Sequence, residues 1–289
     1  MAKEIVDWIT INGNHIPIFE GESKQDAYNR AVAKANEDKK TSDIEKHDKV
    51  AKELNKNGIT KDSTPSEIKS HYKSKYNINI DDSYFEQNND KRILAETDKL
   101  LSRLYSELPL SDMPELQLTA SKFSEDKRIK NKDAFAVSAC NYSGMIVVNS
   151  DDFESYKGIE RQFEQKRRDG KSVIGGPASI LIHEVGHQIE HLIARKSGIS
   201  EIDAFKNGTA TAIVKASFDE LPKGTYKDMT DARKSISTYA NTEFEFLEDV
   251  FIPCYEETFA EAVSDYVTNG AKASEFSKQI IKNIKSALS

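Results

Sequence analysis

Residues His183-Glu184-Val185-Gly186-His187 set two imidazoles four positions apart, with a carboxylate directly after the first. On an α-helix four residues turn through about 400° and rise about 6 Å, so both rings leave the same face and can hold one cation. Glu184 is rotated by roughly 100° from His183 and therefore stands beside such an ion rather than on it. This pattern suits metal-assisted hydrolysis. Zinc acidifies a water and polarises a carbonyl, while the neighbouring carboxylate takes the proton and hands it to the leaving amine. Ile180, Leu181 and Ile182 before the motif and Ile189, Leu192 and Ile193 after it continue an apolar helical pattern. Gly186 leaves that helix without a side chain where a second element can approach.

Two histidines do not complete a catalytic zinc site, which takes three protein ligands and keeps one position open. His191 extends the series, but on one helix it lies about 12 Å along the axis from His183. A chain that turned back after His187 would need a glycine there, and Gln188, Ile189 and Glu190 supply none. A supporting or surface role suits His191 better. Downstream, Glu257, Glu261 and Asp265 form an acidic stripe at four-residue spacing, with Phe259, Ala262, Val263 and Tyr266 on the opposing face. Alone, such a stripe reads as solvated. Beside the histidine pair, a second helix crossing the first can deliver one carboxylate to the ion and another behind a ligating histidine.

The two motifs, HEVGH and ETFAEAVSDY, together resemble the zincin metallopeptidases whose third ligand is a glutamate on a second helix. The arrangement resembles that of the anthrax lethal factor catalytic domain, and similar segments occur in phage and mobile-element proteins. The resemblance implies that His183, His187 and Glu257 are the zinc ligands, Glu184 the general base and Glu261 a supporting acid. Ser237-Thr238-Tyr239-Ala240-Asn241-Thr242 is similar to that group's tyrosine-bearing segment, which implies that Tyr239 donates to the oxyanion. The sequence departs from the relatives in the stretch Glu243 to Tyr255, which separates this tyrosine from the acidic helix and makes Tyr255 a second candidate. The resemblance covers about Ala134 to Ser289. Met145 to Asn149 would then be the edge strand along which an extended substrate pairs. An ordinary buried strand is the other reading. Separately, Trp8 to Ile18 is similar to a hairpin segment of phage minor head proteins.

The elements that must position these groups form an expected α+β, zincin-like domain: a small mixed sheet plus active-site helices, with a mainly helical amino-terminal accessory region. Asn12-Gly13 between two β-favouring runs predicts a hairpin, and Ser23 caps a charged helix or linker, together residues 1–58. Residues 59–289 are the expected catalytic domain. Its helices are expected over Pro65–Tyr76, Asp90–Glu107, Tyr156–Arg168, Pro177–Arg195, Glu256–Thr268 and Ser274–Ala287. Leu116–Ala120, Ala134–Cys140 and Met145–Asn149 predict a three-stranded, partly antiparallel sheet. Asn207 to Thr230 reads as an irregular insertion.

Composition sets the outer limits. Among 289 residues the net charge is −7, which argues against duplex nucleic acid as partner. No apolar run is long enough to span a bilayer, and Glu4 and Asp7 interrupt any Sec signal at the amino terminus. Bacterial cytoplasm or a phage virion is the expected location. Cys140 and Cys254 are too few for a disulfide framework. His15, His47 and His71 read as surface residues, and Lys166-Arg167-Arg168 with Lys171 as a solvated helix end. The expectation is a zinc metalloendopeptidase acting on a protein or peptide, phage virion proteins among the candidates. The alternatives are a phage structural protein with a vestigial or structural zinc site, and a host-targeting toxin protease.

Overall fold

The computed structural model describes residues 5–11, 14–27, 29–31, 34, 58–87, 89–127, 134–139, 144–169, 171, 174–199, 208–247 and 250–289. The chain divides into two compact units, residues 1–57 and 58–289. His47 and Cys140 lie outside the described residues.

In the first unit, β1 (Ile5–Ile11) and β2 (Asn14–Phe19) pair antiparallel with Ile11 opposite Asn14. Helical residues begin at Lys24. Ser23 and Asp26 cap that start reciprocally, each backbone N–H donating to the other's side chain.

The second unit opens with α1 (Pro65–Tyr76), where Thr64 and Glu67 close a capping box ahead of a proline. Strand β3 (Ile78–Ile80) and the short α2 (Asp82–Glu86) lead to α3 (Lys91–Glu107), capped by Asp90. The buried face of α3 carries Ile93, Leu94, Leu101 and Leu104. Next come β4 (Leu116–Ser121), β5 (Ala136–Ala139) and β6 (Met145–Asn149), then α4 (Ser150–Phe153) and α5 (Tyr156–Arg168). Two long helices, α6 (Pro177–Lys196) and α9 (Tyr255–Asn269), form the centre of the site. Between them lie α7 (Thr209–Asp219), α8 (Met229–Ile236) and an antiparallel pair, β7 (Glu243–Leu247) and β8 (Val250–Pro253). Helix α10 (Glu275–Leu288) ends the chain and packs on α7 and α9.

The fold is mixed helix and sheet, and among the described residues no helix is long and apolar enough to cross a membrane. Four expectations are corrected. Among the described residues the main sheet has four strands, in order β3-β4-β6-β5, because three residues of β3 suffice to pair parallel with β4. Of the two readings of Met145–Asn149, the interior strand holds and the edge strand does not: β6 is flanked by β4 in parallel and β5 antiparallel. The edge next to α6 is β5, since the chain returns from β5 between that strand and β4. The segment expected to be an irregular insertion contains α7. Its Ala210, Val214 and Ser217 are buried, and Gly208, at φ 66°, is the turn that introduces it. His71 is buried rather than at the surface, with Nε2 2.6 Å from Asp98.

Candidate metal centre

Helix α6 enters the core through a turn at Gly175, φ 58°, and its first residue, Pro177, contributes no orphan N–H. It is buried on nearly all sides, enclosed by α3, α9 and β5. Helix α9 crosses it at Gly186. A Cβ at that position would lie 2.8 Å from the Ala260 Cα, well inside van der Waals contact. Only glycine lets the backbones approach this closely. The crossing carries Glu257 and Glu261, one turn apart on α9, to the histidines of α6.

His183 Nε2 and His187 Nε2 lie 3.0 Å and 3.7 Å from Glu257 Oε2. Donor atoms of all three residues fall within 4.8 Å of one another. Tetrahedral zinc with bonds of about 2.0–2.1 Å keeps its ligand atoms about 3.3 Å apart, so the spacing suits that ion. A second observation tests the fit. Glu257 Oε2 is buried without a hydrogen-bond partner, although His183 Nε2 is within bonding distance. Leaving such a carboxylate oxygen unpaired in a partly buried site is costly. On its other side His183 faces Glu261, with Nδ1 2.9 Å from Oε1. A carboxylate only accepts, so Nδ1 donates to Glu261, which turns Nε2 towards Glu257 and His187. These residues fit zinc.

Charge agrees with geometry. Burial works against protonating His183, but Glu257 and Glu261 outweigh it and raise its pKa well above the ordinary value. Burial, then the charge of His183, depresses His187 to about 4. Burial alone would raise Glu257, but His183, His187 and the Tyr239 hydroxyl bring it down to about 2. The two carboxylates thus favour positive charge on the His183 ring.

Tyr239 reaches this centre despite the intervening stretch, because that stretch folds out as the β7–β8 pair and returns the chain to α9. The Tyr239 ring lies 5.7 Å from the His183 ring. The residue is half exposed, but desolvation of its hydroxyl end and then the charge of Glu257 raise its phenol above the usual range, so it remains a proton donor. Tyr255 points elsewhere, its ring 5.3 Å from the Arg233 guanidinium and 5.5 Å from the Lys215 ammonium. Glu184 is buried and lines a cavity of about 560 Å³ together with His183, Tyr239 and Glu261. His191 sits outside the ligand cluster.

No family model, curated protein or solved structure matches the chain. The functional reading therefore stands on these residues.

Two positioning residues escaped sequence reasoning. Ser237 donates to the second oxygen of Glu261 and accepts the Ala240 N–H at 2.8 Å, tying the tyrosine turn to the acid behind His183. Arg233, fully buried, donates to Ala240 O, Thr242 O, Cys254 O and Thr258 Oγ1, clamping that turn to the start of α9. Ser237 lay inside the quoted tyrosine segment, whereas nothing in the sequence around Arg233 marks it. Cys254 precedes α9 outside the ligand cluster, and burial pushes its thiol to about 11, away from nucleophilic use.

Proposed function

We propose that the protein is a zinc-dependent metalloendopeptidase that hydrolyses peptide bonds of a protein substrate. The observation that supports this most is the convergence of His183, His187 and Glu257 from two helices beside a cavity lined by Glu184. Zinc held there would acidify a water and polarise the scissile carbonyl. Glu184, one residue from a ligand and facing the cavity, accepts the proton and returns it to the leaving amine. Glu261 holds the His183 ring in orientation and tautomer. Tyr239, kept protonated, donates to the developing oxyanion. Among the described residues β5 pairs only with β6, and Ala134, Phe135 and Ala136, at its start, line the same cavity. Its outer edge suits an extended substrate segment that pairs as an added strand.

The test is proteolysis of unfolded casein and of candidate virion and host proteins by zinc-loaded wild type and Glu184→Gln. The variant should retain zinc stoichiometry and lose activity by about 10²–10⁴-fold. Equal activity in the two removes Glu184 as the base. No activity in either, with zinc bound, favours a structural metal.

A further inference from the structure

The cavity beside the metal centre has a chemical character of its own. Its far wall is apolar: Phe135 and Phe163 stack with ring centroids 5.6 Å apart and an interplanar angle of 28°. Lys166 lies against these rings, its ammonium 4.6 Å from the Phe135 centroid and 5.9 Å from that of Phe163. Lys171 lines the same cavity from its exposed side.

The sequence marks Lys166 as part of a basic helix end, and the fold separates it from its neighbours. The Arg167 guanidinium bonds to Gly175 O, whereas among the described residues no carboxylate lies within ion-pair distance of Lys166. The acids whose charge reaches it, Asp152 and Glu261, are engaged elsewhere. Asp152 accepts from Asn149 and Gln162, and Glu261 bonds with His183 and Ser237. Burial, then the charge of Lys171, lowers the Lys166 pKa, which is the state of an ammonium short of counter-charge. A half-buried cation over stacked rings, in a chain of net charge −7, is a receptor for an anion whose carbon stem packs on the aromatics.

We propose that this cavity is a specificity pocket for a substrate carboxylate, with Lys166 as its counter-ion and the Phe135–Phe163 stack holding the attached methylenes. The proposal rests on the peptidase reading for its place beside a scissile bond. The carboxylate belongs to an Asp or Glu side chain or to a chain terminus, and both sources present the same group to the lysine.

Binding separates this proposal from catalysis. Fluorescently labelled hexapeptides, identical except for Glu, Gln, Leu or Lys at one central position, are titrated by anisotropy into zinc-loaded Glu184→Gln protein. Each is prepared with a free and an amidated carboxyl end. The Glu peptide should bind about tenfold or more tightly than the Gln peptide. Lys166→Met should erase that ratio, and Lys166→Glu should turn the preference towards Lys. Circular dichroism and zinc content of both variants should match the parent. A preference that follows the free carboxyl end and still depends on Lys166 assigns the terminus as the carboxylate bound. Binding indifferent to charge, a Glu preference that survives Lys166→Met, or no binding by any peptide overturns the pocket. Lys166-dependent binding without cleavage by wild type would sink the peptidase reading and leave the pocket standing.

Discussion

Among the described residues of 58–289, one histidine–carboxylate cluster is buried and another is only half-buried, and they differ in how the carboxylate is satisfied. Between α1 and α3, Asp98 receives His71 Nε2 at 2.6 Å, the Tyr76 hydroxyl and the Lys75 ammonium. Tyr76 also reaches Ser102, and no residue of this cluster lines the cavity. Between α6 and α9, Glu257 instead sits near two ring nitrogens with one oxygen unpaired, beside the cavity. The residue types are nearly the same. In the first cluster the carboxylate is saturated by donors and joins two helices, and the unpartnered atom is His71 Nδ1 rather than a carboxylate oxygen. In the second, ligand atoms of two imidazoles and a carboxylate lie within 4.8 Å of one another, the spacing on which the proposed zinc site rests.

The contrast can be broken most decisively at Glu257. With zinc at one hundred times its dissociation constant, the wild type should gain about 2.7 kcal/mol in unfolding free energy. Glu257→Ala should abolish most of that gain in urea titrations with and without metal. A full zinc response in this variant would mean that the third ligand lies elsewhere.

Asp98→Ala should do the reverse, costing about 3 kcal/mol whether or not zinc is present, because it strands His71 and Tyr76 in the core. Acid sharpens the point. Burial pushes the Asp98 pKa up, but hydrogen bonds from His71 and Tyr76 outweigh it and leave it below the usual carboxylate value. A group whose folded pKa is depressed stabilises fully above its unfolded value, about 4, and loses that contribution as pH falls through the folded value. Unfolding measured at successively lower pH should show that loss, and Asp98→Asn should flatten it.

Gly186→Ala probes the crossing itself. The new methyl meets the Ala260 backbone, so a destabilisation of about 1–3 kcal/mol is expected, with weaker zinc binding as the helices part. Urea unfolding reads the first consequence and calorimetric titration with zinc the second. The smallest effect belongs to His191→Ala, whose zinc affinity should stay within about twofold of wild type and whose stability should change by about 0.5 kcal/mol or less. A large loss of zinc affinity there would move the ligand set along α6.

The helices were legible wherever local chemistry and apolar period agreed. Thr64-Pro65-Ser66-Glu67 announces α1, and the period around the histidine motif announces α6. Strand β3 was not legible, since three residues carry no period and acquire their state by pairing with β4. Helix α7 was hidden by the Gly208, Pro222 and Gly224 punctuation around it. It is held by packing, and by Glu190, whose carboxylate accepts the Ala210 N–H at 3.0 Å. His71 looked solvated because its neighbours in sequence are polar, while its neighbours in space are Asp98, Tyr72 and Tyr76.

For the centre itself, the sequence determined that two imidazoles share a helical face and that Glu184 stands beside them, because a four-residue step on a helix is local geometry. It also offered an acidic stripe at the same spacing. Which carboxylate meets the imidazoles, that Tyr239 returns to them past the β7–β8 pair, and that Lys166 rather than Arg167 faces the cavity were decided by the tertiary structure. Those are relations between segments tens of residues apart, set by how helices cross and strands order, and no local period encodes them.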